Sequence, residues 1–156
     1  MPLQGRVFAA SALCQRRIAM EKIFKTTDQK RAKIVFEHIM EIKARDGDAE
    51  LAKKYGSLAL AAPTLIRTAG LVQALAFYEA KGGAKGNKHH LELIKNWTRE
   101  LRDLKVIPED KESLREYATS DSCGLVEYMR LSREVLALSQ WHRRFAQSVL
   151  KAETGG

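Results

Sequence analysis

The sequence predicts an all-α protein, a single compact helical bundle of about five to seven helices. Apolar residues recur at three- and four-residue spacing along almost the whole chain, and no segment alternates apolar and polar residues for long. The chain has 156 residues, of which 45% are hydrophobic, so it can build one domain with its own core.

Start and stop signals set the expected helix bounds. Residues 26–28 are N-capping types that precede the first helix. Pro63 lacks an amide hydrogen, so we expect it to end or kink the second helix, with a short turn leading to Gly70. Residues 82–88 form the clearest loop, and the last helical region is expected to break near Leu131. The expected helices cover 29–44, 48–62, 71–80, 88–105, 110–118 and 122–151.

The apolar stripes predict which side chains form the core. The following residues share the inward stripes: Ala32, Val35, Phe36, Ile39, Ile42, Leu51, Tyr55, Leu58, Ala62, Leu71, Ala74, Leu75, Tyr78, Leu91, Ile94, Trp97, Leu101, Leu104, Leu125, Tyr128, Val135, Leu138, Trp141, Phe145 and Val149. Histidines are expected at the surface or at the rim of the core, and Glu100 is interpreted as part of a charged, solvated helix face. We therefore expect no metal site, no cofactor and no catalytic set.

The two ends of the chain differ from its middle. Residues 1–19 carry three arginines and no acid, which predicts a disordered or non-native N-terminal extension, with Met20 as the natural start. The helical domain is expected over 20–151 and a frayed tail over 152–156. Two cysteines far apart, Cys14 and Cys123, indicate a reducing cytoplasm, and no apolar run is long enough to suggest a membrane partner.

Positive charge is the most informative feature of the composition. The chain has 27 Lys plus Arg against 19 Asp plus Glu, a formal net charge of +8, which is typical of a polyanion-binding protein. Basic residues cluster between Lys81 and Lys105 and again between Arg130 and Arg144. A nucleotide-binding P-loop is excluded because the glycines of residues 82–88 have the wrong spacing and no Ser or Thr follows Lys88. The remaining alternatives are a flexible connector and a phosphate-docking loop, in which Asn87 caps the next helix.

Several short segments follow one another along the chain in a distinctive order: Gln29, RA at 31–32, PTLI at 63–66, GLVQALAF at 70–77, Lys81, EYM at 127–129, Glu134, Leu136, Trp141 and RFA at 144–146. Together these segments resemble the small subunit of the Cmr complex, the type III-B CRISPR effector that silences RNA. Their order and spacing carry the resemblance, which covers about residues 20–151. The sequence departs from the family pattern at Ala69, where Asn is usual, and at His142, where an apolar residue is usual.

The resemblance implies a non-catalytic, all-α structural subunit in antiviral defence. Its partners would be the backbone and large subunits of the Cmr complex, other copies of itself stacked in a filament, and the guide RNA with its target RNA. Phosphate contacts would be sufficient, because base pairing reads the sequence. The residues expected to contact RNA phosphates are Arg67, Lys81, Lys85, Lys88, Arg143 and Arg144, with Arg31 as a weaker candidate that is also suited to an internal ion pair.

Two other functions remain open from the sequence. One is a stand-alone nucleic-acid-binding regulator of the helix-turn-helix type, although the connections at Gly47 and Gly70 do not precede a convincing short recognition helix. The other is a helical hydrolase, for which no converging catalytic set stands out.

Overall fold

The computed structural model describes residues 25–45, 47 and 49–153. The chain divides into a short N-terminal unit, residues 1–30, and a main unit, residues 31–156. In the first unit, a capping box opens the first helix: the Gln29 amide donates to Thr26 Oγ1 (3.1 Å) and the Thr26 amide donates to Gln29 Oε1 (2.9 Å). The extension predicted over residues 1–19 lies outside the described residues and stays a prediction.

The described part of the chain contains six helices and no strand, so the all-α prediction is confirmed. Short connections join the helices, and Gly70, at φ +83°, is the only residue between the second and the third. The helices are α1 (Thr27–Ala44), α2 (Ala49–Ala69), α3 (Leu71–Gly82), α4 (Lys88–Asp103), α5 (Leu114–Ala118) and α6 (Leu125–Ser148).

The long helices α2 and α6 form the largest helix–helix contact in the main unit. Helix α4 packs against α2, α3 and α6, and the short α5 packs against α3. The part of α1 in this unit joins the same core through Val35, Ile39 and Ile42, which are fully buried. Trp97 of α4 is the largest fully buried side chain and contacts Tyr78 of α3, with ring centroids 5.9 Å apart.

Helix α2 continues through Pro63, where the sequence predicted an end or a kink followed by a turn over residues 64–69. Pro63 supplies no amide to the carbonyl of Ala59, yet the helix extends to Ala69. Alanines at 59, 61 and 62 leave room for the proline ring, and both Pro63 and Ile66 are buried. Tertiary packing therefore holds the last turns of α2 against the local preference of the proline.

Helix α6 is also unbroken, although a break was predicted near Leu131. The segment Leu125–Ser148 contains neither glycine nor proline, and Leu131 is buried in the core. Ser132, next to the expected break, lies on a helix whose inward face is anchored by Leu131, Val135 and Leu138.

The predicted core was wrong at three apolar positions. Phe36 is 42% exposed and Leu91 is 44% exposed, while Leu125 is one of the most exposed large side chains in the described residues. Leu91 instead covers Gly82 at the end of α3, so closely that a Cβ at Gly82 would lie 2.5 Å from Leu91 Cγ. The buried face of α4 is rotated towards Leu93 because polar residues, which a hydrophobic stripe does not reveal, occupy part of it.

Those polar residues belong to a buried hydrogen-bonded cluster, which we call the Glu100 network. Glu100 of α4 is 0% exposed, and its Oε1 lies 2.8 Å from both His38 Nδ1 of α1 and His142 Nε2 of α6. On the other side of its ring, His142 Nδ1 lies 3.1 Å from the Tyr55 hydroxyl of α2, which accepts from Asn96 Nδ2 at 3.0 Å. Four helices therefore meet in one polar cluster.

The Glu100 network contradicts two expectations from the sequence. His38 and His142 are buried rather than at the surface or the rim, and Glu100 is not part of a solvated helix face. A carboxylate only accepts hydrogen bonds, so both imidazoles donate to Glu100, while Nδ1 of His142 shares a hydrogen bond with the Tyr55 hydroxyl. Within the described residues, no fully buried polar atom of the cluster lacks a partner, which is what burial in a core requires.

Electrostatics within the network keep Glu100 ionised. Burial by itself raises the pKa of this carboxyl, but the charge and hydrogen bonds of His142 and the hydrogen bond from His38 outweigh burial, so the net pKa is lowered. Burial, and then the Glu100 carboxylate, raise the pKa of Tyr55 well above its usual value, so its hydroxyl keeps its proton.

Replacing Glu100 with Gln is expected to lower the free energy of unfolding by about 2–3 kcal/mol at pH 7, because a neutral amide makes weaker hydrogen bonds than a carboxylate and its NH2 group would replace Oε2, which accepts from His142 Nε2 at 3.0 Å. The folded-state pKa of Glu100 lies below the ordinary value of 4.5, so its stabilisation is present above that pH and is lost as the pH falls through the lowered pKa. The difference between wild type and Glu100→Gln should therefore shrink in urea unfolding curves measured from pH 7 down to pH 3.

Glu41→Gln is the matched control, because Glu41 is half-exposed, pairs with Arg99 at 3.1 Å and also has a lowered pKa. An exposed pair contributes about 0–1 kcal/mol, so this variant should be close to wild type. Equal losses in the two variants, or a constant difference at all pH values, would contradict the role given to Glu100.

Replacing Trp97 or Trp141 with alanine is expected to lower the free energy of unfolding by different amounts. Trp97 is 0% exposed, so Trp97→Ala should lose about 3–5 kcal/mol of unfolding free energy. Trp141 is only partly buried and stacks on Phe145, so Trp141→Ala should lose clearly less. Urea denaturation followed by circular dichroism measures both, and equal losses would show that Trp141 is a full core residue.

Candidate nucleic-acid interface

The seven basic residues predicted to contact phosphates do not form one surface. Three arginines come together between α2 and α6, three lysines lie around the connection between α3 and α4, and Arg31 is held in an ion pair. The seven residues therefore lie at three separate places on the molecule.

The arginines line an open groove of about 390 Å³ between α2 and α6, which we call the arginine groove. On α6 the lining positions are spaced three, four and seven residues apart, so they share one face of the helix. On α2 the lining positions are four residues apart and also share a face. The lining residues are Pro63, Arg67, Gln140, Arg143, Arg144 and Gln147.

Positive charge in the arginine groove is not neutralised locally. No acidic residue lines it, and within the described residues no carboxylate forms an ion pair with Arg67, Arg143 or Arg144. A guanidinium presents several N–H donors in a planar fork that matches two oxygens of a phosphate. Gln140 and Gln147 add amide donors without charge. The groove can therefore bind the phosphate backbone of a nucleic acid.

Arg31 has a different environment. Its Nε lies 2.9 Å from Glu134 Oε2 and its Nη2 lies 2.5 Å from Glu134 Oε1, a two-pronged pair between α1 and α6. Both side chains are largely buried, at 18% and 16% exposure. This geometry favours the internal ion pair that the sequence left open as the alternative role of Arg31.

The lysines lie along the connection between α3 and α4, and all three are exposed. Lys81 Nζ is 5.7 Å from the centre of the Phe77 ring, a cation–π contact on α3. Asn87 does not cap α4 through its side chain, contrary to the capping role considered from the sequence. The loop lies beside the N-terminal half of α2, because Lys54 Nζ is 3.4 Å from the Gly86 carbonyl oxygen.

Distance and direction along α2 separate the lysines from the arginine groove. Lys54 precedes Arg67 by thirteen residues, which is about 20 Å along a helix axis and more than a third of a turn around it. One phosphate cannot contact both groups.

Sequence reasoning identified the three arginines but not the side chains that complete their groove. The sequence does show that Gln140, Arg144 and Gln147 lie at helical spacing around Arg143. A search for clustered positive charge passes over the two glutamines because they carry no charge. Lys54 and His89 were missed at the lysine loop because they contact it from α2 and from the buried side of α4.

Across residues 25–45, 47 and 49–153, no group of three or more His, Cys, Asp or Glu side chains is placed to hold a metal ion. Among the helices of the same ranges, none is both long enough and apolar enough to cross a membrane.

Comparison with known proteins gives consistent matches. The model of the family described as "CRISPR-associated protein (Cas_Cmr5)" matches residues 27–149. The chain is 35% identical over 129 residues to the CRISPR system Cmr subunit Cmr5 of Thermus thermophilus, covering 81% of this chain and 98% of that protein. The crystal structure of a CRISPR-associated Cmr5 family protein from the same organism superposes with a TM-score of 0.62 at 32% identity, covering 81% of this chain and 98% of that one.

Proposed function

Because the chain belongs to the Cmr5 family, the small subunits of the type III-B CRISPR Cmr complex, we propose that it is a non-catalytic structural subunit whose basic surface supports the guide and target RNA. Other subunits of the Cmr complex are its partners. Copies of the chain stack into a filament beside the backbone subunits, and the assembly works in the cytoplasm in antiviral defence.

The arginine groove is the observation that carries the RNA-binding part of this proposal. Arg67, Arg143 and Arg144 converge from two helices that are far apart in sequence, and no acid is among the described residues that line the groove. Such a surface binds the phosphates of a nucleic acid whatever its nucleotide sequence. That suits an RNA-guided assembly, in which base pairing reads the target and the protein contacts the backbone.

Exposed apolar side chains at the start of α6 support the assembly part. Leu125 and Val126 are about three-quarters exposed, at 76% and 73%, and Met129 is 53% exposed. They lie one, three and four positions apart, so they form one apolar patch on the helix. Monomeric proteins rarely leave such patches open, whereas a subunit packed among others covers them.

No observation favours the stand-alone regulator. Helix α5 has five residues, and a single glycine separates α2 from α3, so neither supplies the turn and recognition helix that a helix-turn-helix reader needs.

Affinity purification of the tagged chain from its own host, followed by mass spectrometry and sequencing of bound RNA, tests the assembly. We expect the other Cmr subunits together with guide-length RNA carrying spacer sequence. Recovery of the chain without Cmr subunits would contradict the proposed role in the complex. Recovery of the subunits without RNA would contradict only the RNA-supporting surface.

Removal of the groove charges is expected to weaken RNA binding and to flatten its salt dependence. The slope of log affinity against log salt is negative, and its magnitude falls by about 0.7 for each cation that no longer contacts a single-stranded phosphate. The triple variant Arg67→Gln, Arg143→Gln, Arg144→Gln should therefore reduce the magnitude of the slope by about 2. Fluorescence anisotropy with a labelled 20-nucleotide oligouridine at several salt concentrations measures the slope.

The matched control removes three exposed lysines that do not line the groove, through Lys33→Gln, Lys43→Gln and Lys105→Gln. It changes the net charge equally, so it separates a local contact from a general electrostatic effect. Equal slopes in the two triple variants would refute the arginine groove as the RNA surface.

A further inference from the structure

We propose that a small pocket at the start of α4 is a second phosphate-binding site, occupied by a phosphate of the same RNA. This inference rests on the proposed function but concerns a different part of the surface. The site, which we call the α4 pocket, has a volume of about 140 Å³ and lies between the N-terminal half of α2 and the loop that precedes α4. Its lining residues are Glu50, Leu51, Lys54, Gly86, Lys88 and His89.

The first wall of the α4 pocket is the open N-terminus of a sixteen-residue helix. Gly86, at φ +87°, turns the backbone into α4, and the N-capping Asn87 makes no side-chain hydrogen bond to the helix amides. In the described structure the amide of His90 bonds to the Asn87 carbonyl, while none of the backbone hydrogen bonds outside the helices satisfies the amides of Lys88 and His89. Free amides and the positive end of the helix dipole favour a bound anion.

The second wall is a buried histidine. His89 is 8% exposed, and within the described residues its Nδ1 has no hydrogen-bond partner. An unpaired buried nitrogen is a cost that folded proteins usually avoid. Burial, and then the neighbouring His90 and Lys54, lower the pKa of His89, so a phosphate that brings negative charge and acceptor oxygens to this ring offsets an unfavourable environment.

Lysines supply the charge at the mouth of the α4 pocket. Lys54 Nζ lies 3.4 Å from the Gly86 carbonyl and 2.8 Å from Glu50 Oε1. Among the described lining residues Glu50 is the one acid, and its side chain is 73% exposed, so it can turn to solvent when a phosphate takes its place beside Lys54. An adjoining groove of about 500 Å³ along α2, lined by Lys53, Ser57, Leu58 and Ala61 among others, leaves room for the rest of a nucleotide.

The α4 pocket and the arginine groove can be tested separately. They lie on different sides of α2, about 20 Å apart along its axis, so a variant in one leaves the other intact. A strand that reaches both gains affinity from two linked contacts.

Salt-dependent RNA binding by the full chain and nuclear magnetic resonance of the His89 ring together test the site. The double variant Lys54→Gln, Lys88→Gln is expected to reduce the magnitude of the salt slope for the 20-nucleotide oligouridine by about 1.4. The control variant Lys33→Gln, Lys43→Gln should leave the slope near that of the wild type. The His89 ring signals, assigned through a His89→Gln variant, should shift on addition of the oligouridine or of inorganic phosphate. They should not shift in the Lys54→Gln, Lys88→Gln protein.

The outcomes separate this inference from the proposed function. An RNA-induced shift of His89 that persists when Arg67, Arg143 and Arg144 are replaced supports the α4 pocket as an independent site. If RNA binds while the His89 ring signals stay unchanged, or if the two lysine double variants have equal salt slopes, the α4 pocket is refuted. Neither result contradicts the arginine groove. A shift with inorganic phosphate alone shows an anion site that RNA does not use, which also overturns the inference. Absence of RNA binding by the wild-type chain overturns both.

Discussion

A buried carboxylate has to be satisfied on every side, and this requirement at Glu100 organises the bundle. Glu100 sits on α4 with no exposure, so it is stable as an anion only while His38 from α1 and His142 from α6 donate to it. Tyr55 bonds to the far side of His142, and Asn96 donates to the Tyr55 hydroxyl. Apolar contacts tolerate small sliding of helices, whereas these hydrogen bonds have fixed lengths and directions. The Glu100 network therefore sets how α1, α2, α4 and α6 are positioned against one another.

The arginine groove depends on that positioning. Arg143 and Arg144 directly follow His142 on α6, and Arg67 lies on α2, which the network joins to α6 through Tyr55. Because His142 points into the core, Arg143 and Arg144 point about 100° and 200° away from it around the helix axis, at the edge of the contact between α2 and α6. The surface that we propose for RNA is thus oriented from inside the core, although none of its own side chains takes part in the network.

The sequence was sufficient for the fold class and for most of the core, because both follow from the spacing of apolar residues. It was insufficient where a polar residue is buried: Glu100, His38 and His142 look like surface residues until their partners from other helices are known. It also failed at Pro63 and Leu131, where packing overrides a local signal. For the site, charge identified Arg67, Arg143 and Arg144 individually, but only the tertiary structure shows that they share a groove and that the lysines do not.

Pro63 has a consequence for the order in which the surface forms during folding. A proline inside a helix costs about 3 kcal/mol relative to alanine, and the six residues that follow it in α2 are too few to hold a helix alone. The turn that carries Arg67 therefore becomes helical only when Pro63 and Ile66 are covered by the rest of the bundle. The surface that we propose for RNA should then appear late and all at once, in the same cooperative step as the core. A partly folded chain, for instance one still emerging from the ribosome, would lack this proposed surface until its scaffold is complete.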